Sequence, residues 1–279
     1  MRVEDLDGPR VRPGLEARIL EELRWLGLDW DEGPDVGGPL GPYRQSELGA
    51  RHADALGRLR EAGLAYPCFC SRAEIAQASQ APHAGDEGSR YSGTCRDLGE
   101  GERAVRASRR APAWRFRVPP GRVAFEDQIH GQCTFDVAAT VGDFVVARAD
   151  GVPSYQLAVI VDDAAMQITD VVRGDDLLPS TARQILIGRA LGLPVPEFAH
   201  VPLVVGEDGA RLAKRHGALS LGELRAGGAD PAAVVGALAA TCGLAPPGAR
   251  VHPSDLLGAF RLDAIPREPA RLGGGRLVP

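Results

Sequence analysis

The stretch SYQLAVIVDDAAMQITDVVRGDDLL, residues 154–178, decides the fold class that we predict for this chain. Its apolar run at residues 157–161 has the length of a buried β-strand, and residues 144–146 form a second such run. Asp150 and Gly151 lie between the two runs and favour a turn. We therefore predict two neighbouring buried strands here.

The segments on both sides alternate between helical and strand patterns. Residues 181–191 have a helical pattern that ends at Gly192, and residues 201–205 are a further apolar run of strand length. Towards the N-terminus, helical patterns cover about residues 13–26 and 46–61. Such alternation predicts a parallel α/β sheet, which a cysteine-bearing insertion interrupts and a helical tail follows.

The composition is that of an ordinary globular protein. The chain has 279 residues, 44% of them apolar and 25% charged, with a net charge of −5, which excludes collagen-like, coiled-coil and wholly disordered chains. We find no apolar run near 18 residues, and the acidic N-terminus resembles neither a signal peptide nor a transit peptide. We expect a cytoplasmic monomer with no membrane partner.

One basic residue stands apart from the others. Of the 32 basic residues only Lys214 is lysine, and it lies in the sequence Arg-Leu-Ala-Lys-Arg at 211–215. A lysine in a glycine-flanked loop can reach a phosphate as a point charge, although most lysines are solvated surface groups. Random placement among the 32 positions would select this one about once in 32. This bias favours a site that needs a compact ammonium group.

Three of the five cysteines lie close together in the sequence. Cys68 and Cys70 are separated by one residue, and Cys95 follows a loop rich in glycine and serine. Thiolates bind zinc in tetrahedral sets of four ligands, so the fourth ligand is His83, Tyr91 or a water molecule. The alternative is three cysteines buried in an apolar pocket. The spacing favours zinc over that alternative.

Polar residues at predicted strand ends form a third group of candidates. Glu4 is able to hold an amine, and Arg173, which precedes Gly-Asp-Asp, is able to clamp a carboxylate with two parallel hydrogen bonds. Tyr155, Asp162 and Asp163 complete the group. Taken singly, each residue is more typical of a salt bridge or a helix cap, so the spacing alone selects none of them.

In chain order these pieces resemble the glutamyl branch of the class I aminoacyl-tRNA synthetases. The last of the matching stretches resembles the KMSKS-type signature of that family, and the resemblance covers most of residues 1–224. The matching stretches are RVEDLD at 2–7, SYQLAVIVDD at 154–163, VVRGDDLL at 171–178 and RLAKR at 211–215.

The resemblance implies an α/β fold. The fold that it implies is a Rossmann-like class I synthetase catalytic domain, incomplete at its N-terminus, with a zinc-containing insertion and a small helical C-terminal subdomain. We predict four segments. The first and third form the catalytic domain, the second is the acceptor-type insertion between them, and the fourth is a helical subdomain resembling a stem-contact fold. Their bounds are 1–66 and 143–222 for the catalytic domain, 67–142 for the insertion and 223–279 for the helical subdomain.

Two features of the chain resemble those of a short branch of the family, whose members lack the anticodon-binding domain. One is the CxC…YxxxC cluster, and the other is that only 64 residues follow Arg215. The resemblance implies that L-glutamate is activated with ATP and Mg²⁺. The glutamyl group would then be transferred to the queuosine base of tRNA(Asp) rather than to the 3′ end of the tRNA.

The resemblance also implies roles for single residues. Glu4 would receive the ammonium group of glutamate, and Tyr155 and Arg173 would contact the same substrate. Lys214 would bind ATP and neutralise charge during the in-line attack of the glutamate α-carboxylate on the α-phosphate. The resemblance selects Tyr91 over His83 in the zinc site, so the implied ligands of one structural Zn²⁺ are Cys68, Cys70, Tyr91 and Cys95.

One part of the family pattern is not found. The family begins with a strand and helix that carry an HIGH-like motif, but RVEDLD starts at residue 2, and none of the six histidines lies in an HxGH pattern. Half of the ATP site is thus expected to be missing. We expect glutamate activation by this 279-residue polypeptide to be weak or absent.

Two other functions remain open at this stage. One is a shortened glutamyl-tRNA synthetase that acts on tRNA(Glu), and the other is a non-catalytic zinc-containing RNA-binding remnant. The arginine-rich residues 103–117, with Trp114 and Phe116 among them, bear on both. They either contact the tRNA backbone and bases or form a solvated face with two core aromatic residues.

Overall fold

The structure is a computed structural model that describes residues 1–8, 11–78, 90–206, 208–209 and 220–271. Ten α-helices and nine β-strands are assigned in these ranges. The helices are α1 (Leu15–Trp25), α2 (Gly49–Glu61), α3 (Arg72–Ala78), α4 (Glu100–Ala107), α5 (Val137–Thr140), α6 (Tyr155–Ala165), α7 (Leu178–Leu191), α8 (Leu221–Ala226), α9 (Pro231–Thr241) and α10 (Pro253–Leu256). The strands are β1 (Ala65–Cys68), β2 (Ala113–Phe116), β3 (Val123–Asp127), β4 (Gly131–Phe135), β5 (Val145–Ala147), β6 (Asp170–Gly174), β7 (Glu197–Val201), β8 (Val204–Val205) and β9 (Ala270–Arg271).

The candidate site lies beside a four-stranded sheet with the order β4-β3-β7-β6. Strands β6 and β7 are parallel and are connected through α7, as the predicted strand–helix alternation requires. Strand β3 is also parallel to β7, but β4 is antiparallel to β3, so the sheet is mixed rather than wholly parallel. Although β3 and β4 lie within residues 67–142, they are hydrogen-bonded to the sheet that contains β6.

A second sheet carries the cysteines into the structure. It has the order β1-β2-β5, and both of its strand pairs are antiparallel. Strand β1 ends at Cys68, directly before Phe69 and Cys70. Helix α3 begins directly after Ser71, whose hydroxyl accepts a hydrogen bond from the Glu74 backbone N–H at 3.2 Å. Thus the end of β1 and the start of α3 hold Cys68 and Cys70 close together.

The strand predicted at residues 157–161 is wrong, because these residues lie in helix α6. All side chains from Leu157 to Asp163 are buried, so the helix has no polar face and shows no 3.6-residue hydrophobic periodicity. A short apolar run of this kind does not distinguish a buried helix from a buried strand. The Ser154 side chain caps the helix by accepting a hydrogen bond from the Leu157 backbone N–H.

The helical structure moves Asp162 and Asp163 away from the strand end at which they were predicted. Asp162 is fully buried on α6, where its carboxylate accepts hydrogen bonds from Gln45 at 2.9 Å and contacts His52 at 3.0 Å. These contacts connect α6 to α2 and to the turn that precedes it. Asp162 therefore stabilises the packing of α6, whereas Asp163 lines the cleft described below.

The strand predicted at residues 201–205 is divided in the structure. Val201 ends β7, and Val204 begins β8. Pro202 lies between them and has no backbone N–H to donate to a sheet. The proline therefore explains why the apolar run does not continue as one strand.

Helices dominate the C-terminal part of the described chain. Asp230 caps α9, since its carboxylate accepts hydrogen bonds from the backbone N–H groups of Ala232 and Ala233. Leu26, Leu224 and Val234 share one buried apolar cluster, so this part packs against the end of α1. Within the described ranges, no helix is both long enough and apolar enough to cross a membrane.

Candidate active site and cysteine cluster

A cleft of about 700 Å³ brings together the three residues predicted to contact glutamate. Tyr155 is the first residue of α6, and Arg173 lies near the carboxyl end of β6. Glu4 reaches the cleft because the neighbouring Val3 forms two backbone hydrogen bonds with the segment before α2. Three elements that are distant in the sequence therefore form one polar cleft.

The Arg173 guanidinium is held by neutral groups. Its Nε donates to His200 Nε2 at 3.0 Å. One terminal nitrogen donates to the Thr181 hydroxyl at 2.8 Å and to the Gln184 side-chain oxygen at 2.9 Å. The other donates to the Tyr155 hydroxyl at 3.3 Å. Among the residues that the structure describes, no carboxylate is within 4 Å of this guanidinium, so its positive charge is not neutralised by an ion pair.

Burial and Asp127 determine the protonation state of His200. Its side chain is fully buried, and burial lowers the pKa of the imidazole, although the hydrogen bond to Asp127 acts in the opposite direction. Burial alone would raise the pKa of Asp127, but hydrogen bonds from the His130 backbone and the His200 ring outweigh burial and lower it. The pair is therefore a carboxylate and a neutral imidazole near pH 7.

Two more charged residues line the cleft, namely Arg2, which the sequence analysis did not name, and Asp163, which it listed among the candidates. Arg2 forms ion pairs with Glu4 at 3.0 Å and with Asp163 at 2.7 Å. Burial raises the pKa of Asp163, although the guanidinium of Arg2 opposes this effect. Arg2 belongs to the same RVEDLD motif as Glu4, and this was the available sequence signal.

The cysteine cluster forms a separate site. The sulfur atoms of Cys68, Cys70 and Cys95 all lie within 4.8 Å of one another, and those of Cys70 and Cys95 are 3.5 Å apart. The Tyr91 hydroxyl oxygen lies 3.3 Å from the Cys68 sulfur and 4.0 Å from the Cys70 sulfur. Two ligands of a tetrahedral zinc ion with 2.3 Å bonds are about 3.8 Å apart. The three separations of 3.3, 3.5 and 4.0 Å are close to this value and are compatible with a tetrahedral zinc site.

A close backbone contact holds Tyr91 in the cluster. Its backbone N–H donates to the Val141 carbonyl at 3.0 Å. Gly142, which follows Val141, has a φ of +72°, and a Cβ atom there would lie 2.4 Å from the Tyr91 carbonyl oxygen. Only glycine allows this approach. The segment after α5 therefore helps to place the Tyr91 ring over the cysteines.

Two arginines of the arginine-rich stretch contact the cysteine cluster. Arg115 Nε lies 3.3 Å from the Cys68 sulfur, and Arg106 lies 3.8 Å from the Cys95 sulfur. Burial raises the pKa of Cys68, but hydrogen bonds from Tyr91 and the Cys70 backbone, together with the Arg115 charge, lower it overall. Part of the arginine-rich stretch thus has an internal role that the sequence analysis did not predict.

The two aromatic residues of the same stretch have different environments. Phe116 is buried in the main core, where its ring stacks on Phe144 at a centroid distance of 5.4 Å. Trp114 is half-buried, and the Arg60 guanidinium lies 4.1 Å from its ring centre. Phe116 is therefore a core residue and is not available to stack on a base.

Two predicted candidates cannot be placed. Lys214, with the rest of the RLAKR motif, and His83, the alternative zinc ligand, lie outside the described residues. Their predicted roles stay predictions.

The fold and the cleft define a class I aminoacyl-tRNA synthetase catalytic domain. The family of class I tRNA synthetases (E and Q), catalytic domain, matches residues 1–250, and the chain belongs to this family. The predicted family and the α/β fold class are therefore confirmed.

The similar proteins refine this assignment. The chain is 54% identical over 274 residues to the glutamyl-Q tRNA(Asp) synthetase of Symbiobacterium thermophilum, covering 98% of this chain and 84% of that protein. It is 45% identical to the protein of the same name from Nitratidesulfovibrio vulgaris, covering 96% and 83% of the two chains. These relatives confirm the predicted enzyme class, a ligase of the aminoacyl-tRNA synthetase type.

A solved structure shows the same fold. The crystal structure of a glutamate tRNA ligase from Elizabethkingia meningosepticum, in complex with its amino acid, superposes with a TM-score of 0.81 at 29% identity. The match covers 98% of this chain, but the chain spans only 60% of that protein.

Proposed function

We propose that this chain activates L-glutamate with ATP and transfers the glutamyl group to the queuosine base of tRNA(Asp). The observation that carries the proposal is the convergence of Glu4, Tyr155 and Arg173 in one cleft. The names of the two relatives support tRNA(Asp) as the acceptor.

The charges in the cleft suit an acidic amino acid. Within the described part of the chain, only neutral groups contact the positive charge of Arg173, so a substrate carboxylate would gain a charge-assisted hydrogen bond without displacing an ion pair there. The Tyr155 hydroxyl lies beside it and is able to donate a further hydrogen bond. Glu4, which shares the guanidinium of Arg2 with Asp163, supplies a carboxylate for the substrate ammonium group. We therefore assign glutamate binding to these three residues.

The activation step needs no protein nucleophile. The glutamate α-carboxylate attacks the α-phosphate of ATP in line, the bond to the bridging oxygen breaks, and pyrophosphate leaves with the bonding electrons. Mg²⁺ and Lys214 would neutralise the negative charge that develops on the phosphates. A hydroxyl group of the queuosine base then attacks the activated carbonyl carbon and releases AMP.

The cysteine cluster fits one structural zinc ion. Its donor set is three thiols and a phenol oxygen with separations near those of a tetrahedral site. We propose that Cys68, Cys70, Tyr91 and Cys95 hold this ion and that it connects β1 to the segment around Tyr91. The ion would stabilise the fold of the insertion and take no part in the chemistry.

We also retain the predicted domain bounds, 1–66, 67–142, 143–222 and 223–279, and a cytoplasmic monomer as proposals. In this division β3 and β4 belong to the insertion by chain order but to the sheet of β6 and β7 by hydrogen bonding.

The acceptor is tested by single-turnover transfer of radiolabelled glutamate with the enzyme in excess over tRNA, so that slow activation still gives a signal. Three acceptors are compared: tRNA(Asp) with queuosine, tRNA(Asp) without queuosine, and tRNA(Glu). We expect label only on the first. Label on tRNA(Glu) would instead support a shortened glutamyl-tRNA synthetase. Label on none of the three, from protein that does form glutamyl-adenylate, would contradict the proposed transfer.

A further inference from the structure

Four buried side chains form a polar layer behind Arg173, on the side away from the cleft. They come from β3, from α7 and from β7, and each is 2% exposed or less. They are Asp127, Thr181, Gln184 and His200. Buried polar groups of this kind must satisfy one another's hydrogen bonds, so the position of each hydrogen atom has consequences for its neighbours.

Asp127 determines which nitrogen of His200 carries the proton. One carboxylate oxygen accepts hydrogen bonds from the backbone N–H groups of Ile129 at 3.0 Å and His130 at 2.9 Å. The other lies 2.6 Å from His200 Nδ1. An ionised carboxylate only accepts hydrogen bonds, so Nδ1 carries the hydrogen, and in a neutral imidazole Nε2 then has a free lone pair.

This lone pair faces Arg173. The Nε–H of Arg173 points to His200 Nε2 at 3.0 Å, and the Thr181 hydroxyl lies 3.2 Å from the same nitrogen. If Nε2 carried the hydrogen instead, two N–H groups would face each other at a distance of 3.0 Å. The tautomer of His200 therefore fixes the plane of the guanidinium, and with it the direction in which its outer nitrogen points towards Tyr155 and the cleft.

We propose that Asp127 and His200 are positioning residues for glutamate recognition, in which Asp127 holds His200 as the Nδ1–H tautomer and the Nε2 lone pair orients Arg173. This inference rests on the proposed function, in which Arg173 binds a carboxylate of glutamate.

The variant Asp127→Asn changes the tautomer while keeping most of the fold. The asparagine oxygen is able to accept the same backbone hydrogen bonds, and its amide N–H₂ group then faces His200 Nδ1. The amide donates, so the imidazole hydrogen moves to Nε2 and opposes Arg173. We expect the glutamate dissociation constant to rise about 10-fold or more, which corresponds to the loss of one charge-assisted hydrogen bond.

Asp136→Asn is the matched control. Asp136 caps α5 by accepting a hydrogen bond from the Ala139 backbone N–H at 2.9 Å. Asparagine caps helices as well as aspartate does, so the same chemical change is expected to leave glutamate binding within about twofold of the wild type.

Two further variants separate orientation from simple loss of packing. In His200→Gln the side-chain oxygen is able to replace Nε2 as the acceptor for Arg173, whereas His200→Leu removes the acceptor. We expect glutamine to retain more of the glutamate affinity than leucine, by about threefold or more. This comparison also stands if Asp127→Asn does not fold.

The experiment combines ¹⁵N NMR of the imidazole nitrogens in ¹⁵N-histidine-labelled protein with equilibrium dialysis of L-[¹⁴C]glutamate. We expect the Nδ1–H tautomer of His200 in the wild type, the Nε2–H tautomer in Asp127→Asn, and the weaker binding described above. An Nε2–H tautomer in a wild-type protein that binds glutamate would overturn the positioning role of the pair but not the proposed function. Glutamate binding by Asp127→Asn and His200→Leu within twofold of the wild type would have the same consequence. A wild-type protein with the Nδ1–H tautomer that binds no glutamate would overturn the proposed function, and with it the role of the pair.

Discussion

The guanidinium of Arg115 lies 3.8 Å from the centre of the Tyr91 ring, and its Nε lies 3.3 Å from the Cys68 sulfur. One buried arginine therefore contacts two of the four proposed zinc ligands. Three thiolates around one Zn²⁺ would carry one negative charge in excess, and a guanidinium at this distance would compensate it. The same arginine donates to the Asp143 carbonyl at 2.6 Å, so its position is fixed on both sides.

Replacing Arg115 with methionine is therefore expected to weaken zinc binding by about 10-fold or more, the usual effect of losing a group that contacts metal ligands. Competition with a chromophoric chelator measures the dissociation constant. Arg109→Met, on an exposed residue of the same stretch, is the control and should not change it. If Arg115→Met does not fold, Arg106→Met tests the same effect at Cys95, and unchanged zinc affinity in that variant would contradict the proposed charge compensation.

The cysteines themselves give a prediction about metal content. Cys95→Ser should reduce bound zinc from one equivalent to a small fraction and lower the thermal unfolding temperature, because a thiolate ligand is lost. Cys242→Ser should leave one equivalent bound, since Cys242 belongs to a different apolar cluster. Elemental analysis after dialysis measures both. A full equivalent of zinc in Cys95→Ser would exclude the cluster as the zinc site.

The lowered pKa of His200 gives a pH dependence of stability. Because folding disfavours the protonated imidazole, the unfolded chain binds a proton first as the pH falls below about 6.5. The stability that results from the neutral His200 is fully present above that pH and is lost as the pH falls towards the lower folded-state pKa. The free energy of unfolding then falls by at most about 1.4 kcal/mol per pH unit. Urea unfolding should show that the free energy of unfolding decreases more between pH 7.5 and pH 5.5 in the wild type than in His200→Gln. An equal decrease in both proteins would show that His200 is not the group responsible.

The buried position of α6 is tested by its packing. Leu157 is fully buried in the main core, and Leu157→Ala is expected to lower the free energy of unfolding by about 2–5 kcal/mol. Leu257 is 75% exposed, so Leu257→Ala should change it by less than about 0.5 kcal/mol. Chemical denaturation measures both values, and similar values for the two variants would contradict the buried position of α6.

Much of the fold was predictable where local sequence signals are strong. Helix α7 ends at Gly192, which has a φ of +65°, as the sequence indicated. Helix α6 was predicted as a strand because its residues 157–163 are all buried and therefore lack the periodicity that identifies a surface helix. Strands β3 and β4 were not predicted.

The candidate site was predictable only in part, for a similar reason. The sequence motifs pointed to Glu4, Tyr155 and Arg173, which the fold brings into one cleft. The residues that hold Arg173 carry no local pattern, since His200 and Asp127 are 73 positions apart and meet only through the pairing of β3 with β7. Such partners become visible only once the sheet is formed.

The most direct test of the glutamate cleft is equilibrium binding of L-glutamate to the wild type and to Arg173→Lys, with Arg189→Lys as the control on the exposed surface of α7. Lysine keeps the charge but loses the planar arrangement of donors that contacts His200, Thr181 and Gln184. We expect Arg173→Lys to bind glutamate about 10-fold more weakly or worse, and both the wild type and Arg189→Lys to prefer glutamate over glutamine. Equal glutamate affinity of Arg173→Lys and the wild type would show that glutamate is recognised elsewhere and would contradict the account.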